Sequence, residues 1–299
     1  MEYKCGYVAI LGRPNAGKST LVNCLVGEKV AIVSPKPQTT RNNILGILTK
    51  DNYQIILVDT PGIHKSKNAL DKYMMKNVRS AIGGAMVNVY LLDCSKRLED
   101  SEFEYIQKLA GNETPLILAL SKIDLKKFED TIPLLAKLSQ IKEIKDIVPI
   151  SSLKNKNTQD LVEQILKYIP SSAHKNFEFD EDEYTDKSLR FIASETIREK
   201  ALLSLNQEIP HGINVSIINF EEKKDIVIIE ADIVCERESH KSIIIGKKGT
   251  MLKIIGENAR KELENLMQKK VLLKLFVKTK KNWRENNNFL NEFGYKKED

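Results

Sequence analysis

Cysteine, tryptophan and long apolar runs are all scarce in this chain of 299 residues. The four cysteines, Cys5, Cys24, Cys94 and Cys235, are scattered with no paired spacing, which excludes a recognisable disulfide framework or zinc site. They are expected to be buried, reduced thiols of a cytosolic protein. No apolar segment approaches the roughly twenty residues needed to span a bilayer. The segment from Met1 to Leu11 also lacks the basic stretch and apolar run of an export signal. The protein is therefore expected to be neither secreted nor membrane-spanning. No internal repeat or low-complexity segment stands out. The single tryptophan, Trp283, is expected to pack within the fold rather than stack on a ligand.

Charge is plentiful and unevenly placed. The net charge is +6, yet Lys241 to Arg284 holds thirteen Lys/Arg against Glu257, Glu262 and Glu264, a net of +10, which leaves −4 for the rest. An anionic partner is expected at the basic segment. The length suits two domains, since single domains commonly run to about 100–200 residues.

Residues 1–170 alternate short apolar runs (Tyr7 to Leu11, Ile55 to Val58, Val87 to Leu92, Leu116 to Leu120, Ile147 to Ile150) with amphipathic stretches. That rhythm predicts an α/β domain whose parallel, doubly wound sheet carries functional loops at the carboxyl ends of its strands. Helices are predicted over Lys18 to Val26, Ala69 to Ala81, Ser101 to Ala110 and Thr158 to Tyr168. Acidic residues crowd into 171–187, which reads as a linker. From 188 to 299 the order becomes helix, two strands, a helix pair around Gly246 to Gly249, a strand and a closing helix.

Chemistry concentrates in four loops of the first domain. Gly12-Arg13-Pro14-Asn15-Ala16-Gly17-Lys18-Ser19-Thr20 follows an apolar strand and opens a helix. Its glycines let successive N–H groups turn inward on a phosphate at the positive helix end, Lys18 reaches the β- and γ-phosphates, and Ser19 can ligate magnesium. About forty residues on, Asp59-Thr60-Pro61-Gly62-Ile63 places a carboxylate for a magnesium-bound water and an N–H for the γ-phosphate. Between them, Thr40 is the expected switch ligand, in a proline-flanked loop suited to ordering around metal and phosphate. Ser121-Lys122-Ile123-Asp124 selects the base: Asp124 can accept from both N1–H and N2–H₂ of guanine, a pair adenine lacks. Lys122 would lie over the base, and Ser151-Ser152-Leu153 would add a backbone N–H to its O6.

These loops resemble the motif set of translation-factor-related GTPases of the phosphate-loop, Ras-like fold, so GTP or GDP with Mg²⁺ is the implied ligand, with Ser19, Thr40 and Asp59 around the metal. Two positions depart from the family. Ser121 stands where asparagine braces the phosphate loop, and Ser152 where alanine is usual; the shorter Ser121 is expected to weaken nucleotide retention. Ile63 occupies the place of the glutamine that orients the attacking water in Ras-type enzymes. Some relatives lacking that glutamine carry an asparagine in the phosphate loop that helps bind K⁺, which implies this role for Asn15. The expected catalytic set is thus Lys18, Thr40 and Asn15, with slow intrinsic turnover. His64 is read as a switch-loop surface histidine.

In the second domain, Gly246-Lys247-Lys248-Gly249 lies between apolar flanks, Ile243 to Ile245 before it and Leu252 onward after it. Glycines bracketing two lysines let a nucleic-acid backbone approach while ammonium groups meet phosphates. In its helix-strand-strand-helix-loop-helix-strand context this resembles an α+β KH domain of type II, which takes about four nucleotides. The expected RNA-binding residues are Ile245, Gly246, Lys247, Lys248, Gly249, Lys253 and Arg260. Ile243 to Ile245 are expected to form the groove wall.

Taken over the whole chain, the motif order resembles the Era-type GTPases, in which a KH domain follows the GTPase domain. In that family the KH domain binds single-stranded RNA near the 3′ end of small-subunit (16S) ribosomal RNA, and the GTP cycle times assembly of the small subunit. Members also associate with the cytoplasmic membrane face, so a peripheral location is implied beside the cytoplasmic one; a monomer is expected. Lys248 departs from the family's second loop glycine. Two other readings stay open at this point: an RNA-binding placeholder whose nucleotide barely turns over, and an ATP-using enzyme if Asp124 does not face the base.

Overall fold

The computed structural model describes residues 2–127 and 129–295. It divides into two units, one comprising Met1–Ala31, Thr40–His64 and Met75–Asp186, the other Ile32–Thr39, Lys65–Met74 and Lys187–Asp299. The tail 296–299, the end of the expected second domain, lies outside the described residues.

The first unit is built on strands β1 (Tyr3–Gly12), β2 (Ile44–Lys50), β3 (Tyr53–Asp59), β4 (Val87–Asp93), β5 (Leu116–Ser121) and β6 (Asp146–Pro149), in the spatial order β2-β3-β1-β4-β5-β6. Central β1 is apolar on both faces, with Val8 to Leu11 fully buried, because helices cover each side. Val8, Ile10, Ile55, Leu57, Val89 and Leu91 face helices α1 (Lys18–Val26) and α5 (Thr158–Tyr168); Ala9, Leu11, Val58, Tyr90 and Leu92 face α2 (Ala69–Gly84), α3 (Asp100–Ala110) and α4 (Ile132–Leu138). This alternation is the doubly wound arrangement expected from the strand rhythm.

The sheet is not wholly parallel. β2 runs antiparallel to β3, from Ile44 opposite Asp59 to Lys50 opposite Tyr53. Only Asp51 and Asn52 join them, too short for a parallel crossover, which needs a dozen or more residues. A short β7 (Ser171–Ser172) pairs antiparallel with Tyr3 and Lys4. The acidic stretch after it lies along the first unit's sheet edge. Gln54 Oε1 accepts from the N–H groups of Glu178 and Phe179, the Tyr184 carbonyl from Ile47, and the Asp186 carboxylate from Leu45.

The second unit stacks α6 (Leu189–Ser204), α7 (Glu238–Ile245) and α8 (Thr250–Met267) on a three-stranded sheet ordered β10 (Lys270–Thr279), β9 (Ile226–Cys235), β8 (Asn214–Glu222). β10 is parallel to β9, and β8 antiparallel to it. The core runs from Ala193, Ile197 and Ala201 through Ile229, Ala231 and Ile233 to Ile255, Ala259 and Leu263. Trp283 is fully buried, as expected. Its indole N–H donates to the Gly212 carbonyl at 2.9 Å, and its ring meets Phe293 and Tyr295 near the closing helix α9 (Asn287–Glu292).

Cys94 and Cys235 are buried and Cys5 and Cys24 half-buried, all as free thiols. Among the described residues no helix is long and apolar enough to cross a membrane.

Candidate functional site

At the carboxyl end of β1 the chain turns through Gly12 (φ +144°), Asn15 (φ +64°) and Gly17 (φ +101°) before α1 begins at Lys18. The Lys18 ammonium is buried and lies 3.1 Å from the carbonyl oxygens of both Gly12 and Arg13. Burial pulls it down to about 8, with the Asp59 charge opposing. The next residue, Ser19, donates to Asp59 Oδ2 at 2.7 Å; Thr40 lies 2.9 Å from the same hydroxyl and donates to Asp59 at 3.2 Å. Burial pushes the Asp59 carboxyl up to about 6, against the Ser19 hydrogen bond and the Lys18 charge.

Three sequence-distant oxygens therefore converge, and Asp59 Oδ1 is buried with no hydrogen-bond partner. Two hydroxyls and a carboxylate are the hard oxygen donors that Mg²⁺ takes beside phosphates and waters. Ser19, Thr40 and Asp59 fit that ion. When bound beside a nucleotide it would neutralise charge on the β- and γ-phosphate oxygens.

Past β3, Thr60 anchors the second loop by donating to the Ile10 carbonyl at 2.7 Å, and the Ile63 N–H donates to Gly12 at 3.0 Å. Gly62 packs so closely that a Cβ there would lie 2.7 Å from the Pro14 nitrogen. The loops after β1 and β3 are thereby clasped together. Ile63 tucks against the apolar core, and the His64 ring nitrogen Nδ1 sits 2.7 Å from the Gly62 carbonyl.

On the base side, Ser121 still braces the phosphate loop, its hydroxyl donating to the Ala16 carbonyl at 2.8 Å. Lys122 takes a left-handed conformation (φ +64°) and sets its ammonium 2.7 Å from the Asn15 carbonyl and 2.6 Å from Asp93. Ile123 and Asp124 form a short turn that leaves Asp124 exposed, and a mutual backbone pair between Ser151 and Lys156 closes the loop carrying Ser152 and Leu153. Asp93 went unnoticed in the sequence. Burial works against its ionisation, but hydrogen bonds from Lys122 and Ser95 hold its carboxyl below the usual range. An aspartate closing an apolar strand was the available signal.

In the second unit, α7 ends at Gly246 (φ +75°), where a Cβ would meet the Met251 backbone nitrogen at 2.8 Å. Only glycine suits that turn. Lys247 and Lys248 are exposed, Gly249 caps α8, and Lys248 adopts φ +53° without being glycine. A groove of about 470 Å³ continues from Gly249 along Leu252, Lys253, Gly256, Glu257 and Arg260 of α8, faced by Leu273 and Leu275 of β10. Its apolar wall thus comes from α8 and β10, whereas Ile244 turns into the core and Ile243 is half-exposed. Sequence reasoning missed Leu273 and Leu275 because the alternation of β10 does not say which of its faces meets α8, which its parallel pairing with β9 sets.

The family model described as "50S ribosome-binding GTPase" matches residues 7–122, and that of the KH domain matches 208–284. The chain is 43% identical over 297 residues to a protein of Ruminiclostridium cellulolyticum named GTPase Era, covering 99% of each. It belongs to the Era family of GTPases. A second Era, from Clostridium kluyveri, is 45% identical over 294 residues, covering 98% of this chain and 99% of that one. Two solved Era structures superpose with a TM-score of 0.93 over 98% of this chain and 99% of theirs: one, 39% identical, in complex with MgGDPNP and nucleotides 1506–1542 of 16S ribosomal RNA, the other, 38% identical, from Aquifex aeolicus and bound to GDP and AlF4⁻. The Era architecture, a phosphate-loop GTPase domain followed by a KH domain, is what the motif order had implied.

Proposed function

We propose that this protein is a GTP-hydrolysing switch that binds the 3′ region of 16S ribosomal RNA through its KH domain and assists assembly of the small ribosomal subunit. The carrying observation is the joining, on one chain, of the Ser19–Thr40–Asp59 cluster with a KH-domain groove that carries Lys253 and Arg260. The likeness to Era solved with MgGDPNP and 16S RNA supports it.

In this reading residues 1–170 hold the nucleotide, 171–187 connect, and 188–299 bind RNA. Lys18 meets the β- and γ-phosphates, Thr40 reports the γ-phosphate, and Asp124 recognises guanine. Ile63 can neither donate nor accept, so no side chain at that position orients water; Asn15 is assigned a K⁺ that substitutes for an arginine finger. The protein works in the cytoplasm, with peripheral contact to the cytoplasmic membrane face.

The lack of a water-orienting side chain at position 63 also favours a second reading, an RNA-binding placeholder with a nearly static nucleotide. Single-turnover GTP hydrolysis with and without a 16S 3′-end oligonucleotide, in potassium and in sodium buffer, separates the two. The switch reading expects RNA and potassium each to accelerate hydrolysis at least about tenfold. Equal rates, with RNA affinity indifferent to nucleotide, would establish the placeholder.

A further inference from the structure

We propose that Glu102, aided by Glu99, is a positioning residue for the nucleotide site: from the first turn of α3 it grips the Arg13 guanidinium and so holds the phosphate loop in shape. Each guanidinium nitrogen has its own partner in that turn. Arg13 Nε lies 3.2 Å from Glu102 Oε2, Nη1 lies 2.8 Å from Glu99, and Nη2 donates to the Ser101 hydroxyl at 3.1 Å. The planar fork of an arginine suits this three-point capture in a way a lysine would not.

Glu102 is itself fixed at its other oxygen. The hydroxyl of Tyr90, buried in β4, donates to Oε1 at 2.9 Å. The carboxylate is only 7% exposed against 34% for Arg13, so this ion pair is less screened than that of Glu99, which is 64% exposed. A guanidinium beside a helix N-terminus meets the positive end of the macrodipole, which is unfavourable unless carboxylates intervene. Here they do.

The consequence for the phosphate loop lies in the Arg13 backbone. Its carbonyl oxygen accepts from the Lys18 ammonium at 3.1 Å and from the Ala16 N–H at 3.3 Å. Displacing the Arg13 side chain displaces the seat of the lysine expected to bind the β- and γ-phosphates. Ser121 and Lys122 brace the loop at Ala16 and Asn15 from the base side; α3 braces the opposite end. The same geometry argues against Arg13 as a built-in arginine finger, because its charge is already met by two carboxylates.

The inference rests on reading Gly12 to Ser19 as the phosphate site, and the experiment keeps the two apart. Release of a fluorescent GDP analogue from the full chain is followed by stopped flow, with KM and kcat for GTP measured beside it. Glu102→Gln is expected to speed release about tenfold, the size of one weakened, partly buried ion pair, and Glu99→Gln less than about threefold. KM should rise with kcat little changed. Tyr90→Phe, which leaves the Glu102–Arg13 ion pair in place, should speed release about twofold to threefold, and it decides the matter should Glu102→Gln fail to fold. Release at the wild-type rate from folded Glu102→Gln, or from Tyr90→Phe in its stead, overturns the proposal. So does a fall in kcat with release unchanged. A wild-type chain that holds no GDP would instead sink the reading of the site itself.

Discussion

Asp124 is exposed on a short turn after β5, where its two carboxylate oxygens can meet the edge of a base. Guanine offers N1–H and N2–H₂ side by side; adenine offers no such pair. Replacing the carboxylate with an amide exchanges one acceptor for a donor. Asp124→Asn is therefore expected to lose at least about 100-fold in GTP affinity and to gain preference for xanthosine triphosphate, whose C2 carbonyl accepts from the new amide. Competition binding against GTP, ATP and XTP checks this, and an unchanged preference for GTP would remove Asp124 from base recognition. Asp59 makes a different point at the same scale. Its isolated, buried Oδ1 and its raised pKa follow from removing a carboxylate from water, and neither could be read from the four letters Asp-Thr-Pro-Gly.

At the scale of elements, the turn between α7 and α8 places two lysines ahead of a groove lined by α8 and β10. Lys248 holds a left-handed backbone at φ +53°, which costs a non-glycine residue roughly 1 kcal/mol. Lys248→Gly would relieve that strain but free the unfolded chain by a similar amount, so stability should change by less than about 1 kcal/mol. RNA affinity, in contrast, should fall about threefold, and the salt slope should shrink by about 0.7, the share of one phosphate contact. Thermal melts and RNA titrations at several salt concentrations test the two halves separately. An affinity that rises would mean that the strained loop, rather than the charge, limits binding.

Across the whole molecule, charge divides between segments as the chemistry does. Lys241 to Arg284 carries +10 while the remainder sums to −4. Binding of a short single-stranded RNA to the full chain should weaken steeply with salt, with a log–log slope of at least about −2 for a few neutralised phosphates. A slope near zero would mean that the lysines do not meet phosphates. The acidic stretch before the second unit has a structural job as well, since its backbone and carboxylates pair with β1, β2 and Gln54 along the first unit's sheet.

Local chemistry was legible before any fold was known. A phosphate loop needs glycines, a lysine and a hydroxyl in contiguous order after an apolar strand; such requirements are met within a few residues and leave their mark in the string. The same holds for the strand rhythm, for Gly246 and Gly249 around two lysines, and for an apolar Trp283. What tertiary structure decided was everything that depends on partners far apart in the chain. The Asp93–Lys122–Asn15 chain and the grip of Glu99 and Glu102 on Arg13 are such contacts across strands and helices. No periodicity encodes them, because they arise from which elements the sheet order brings side by side.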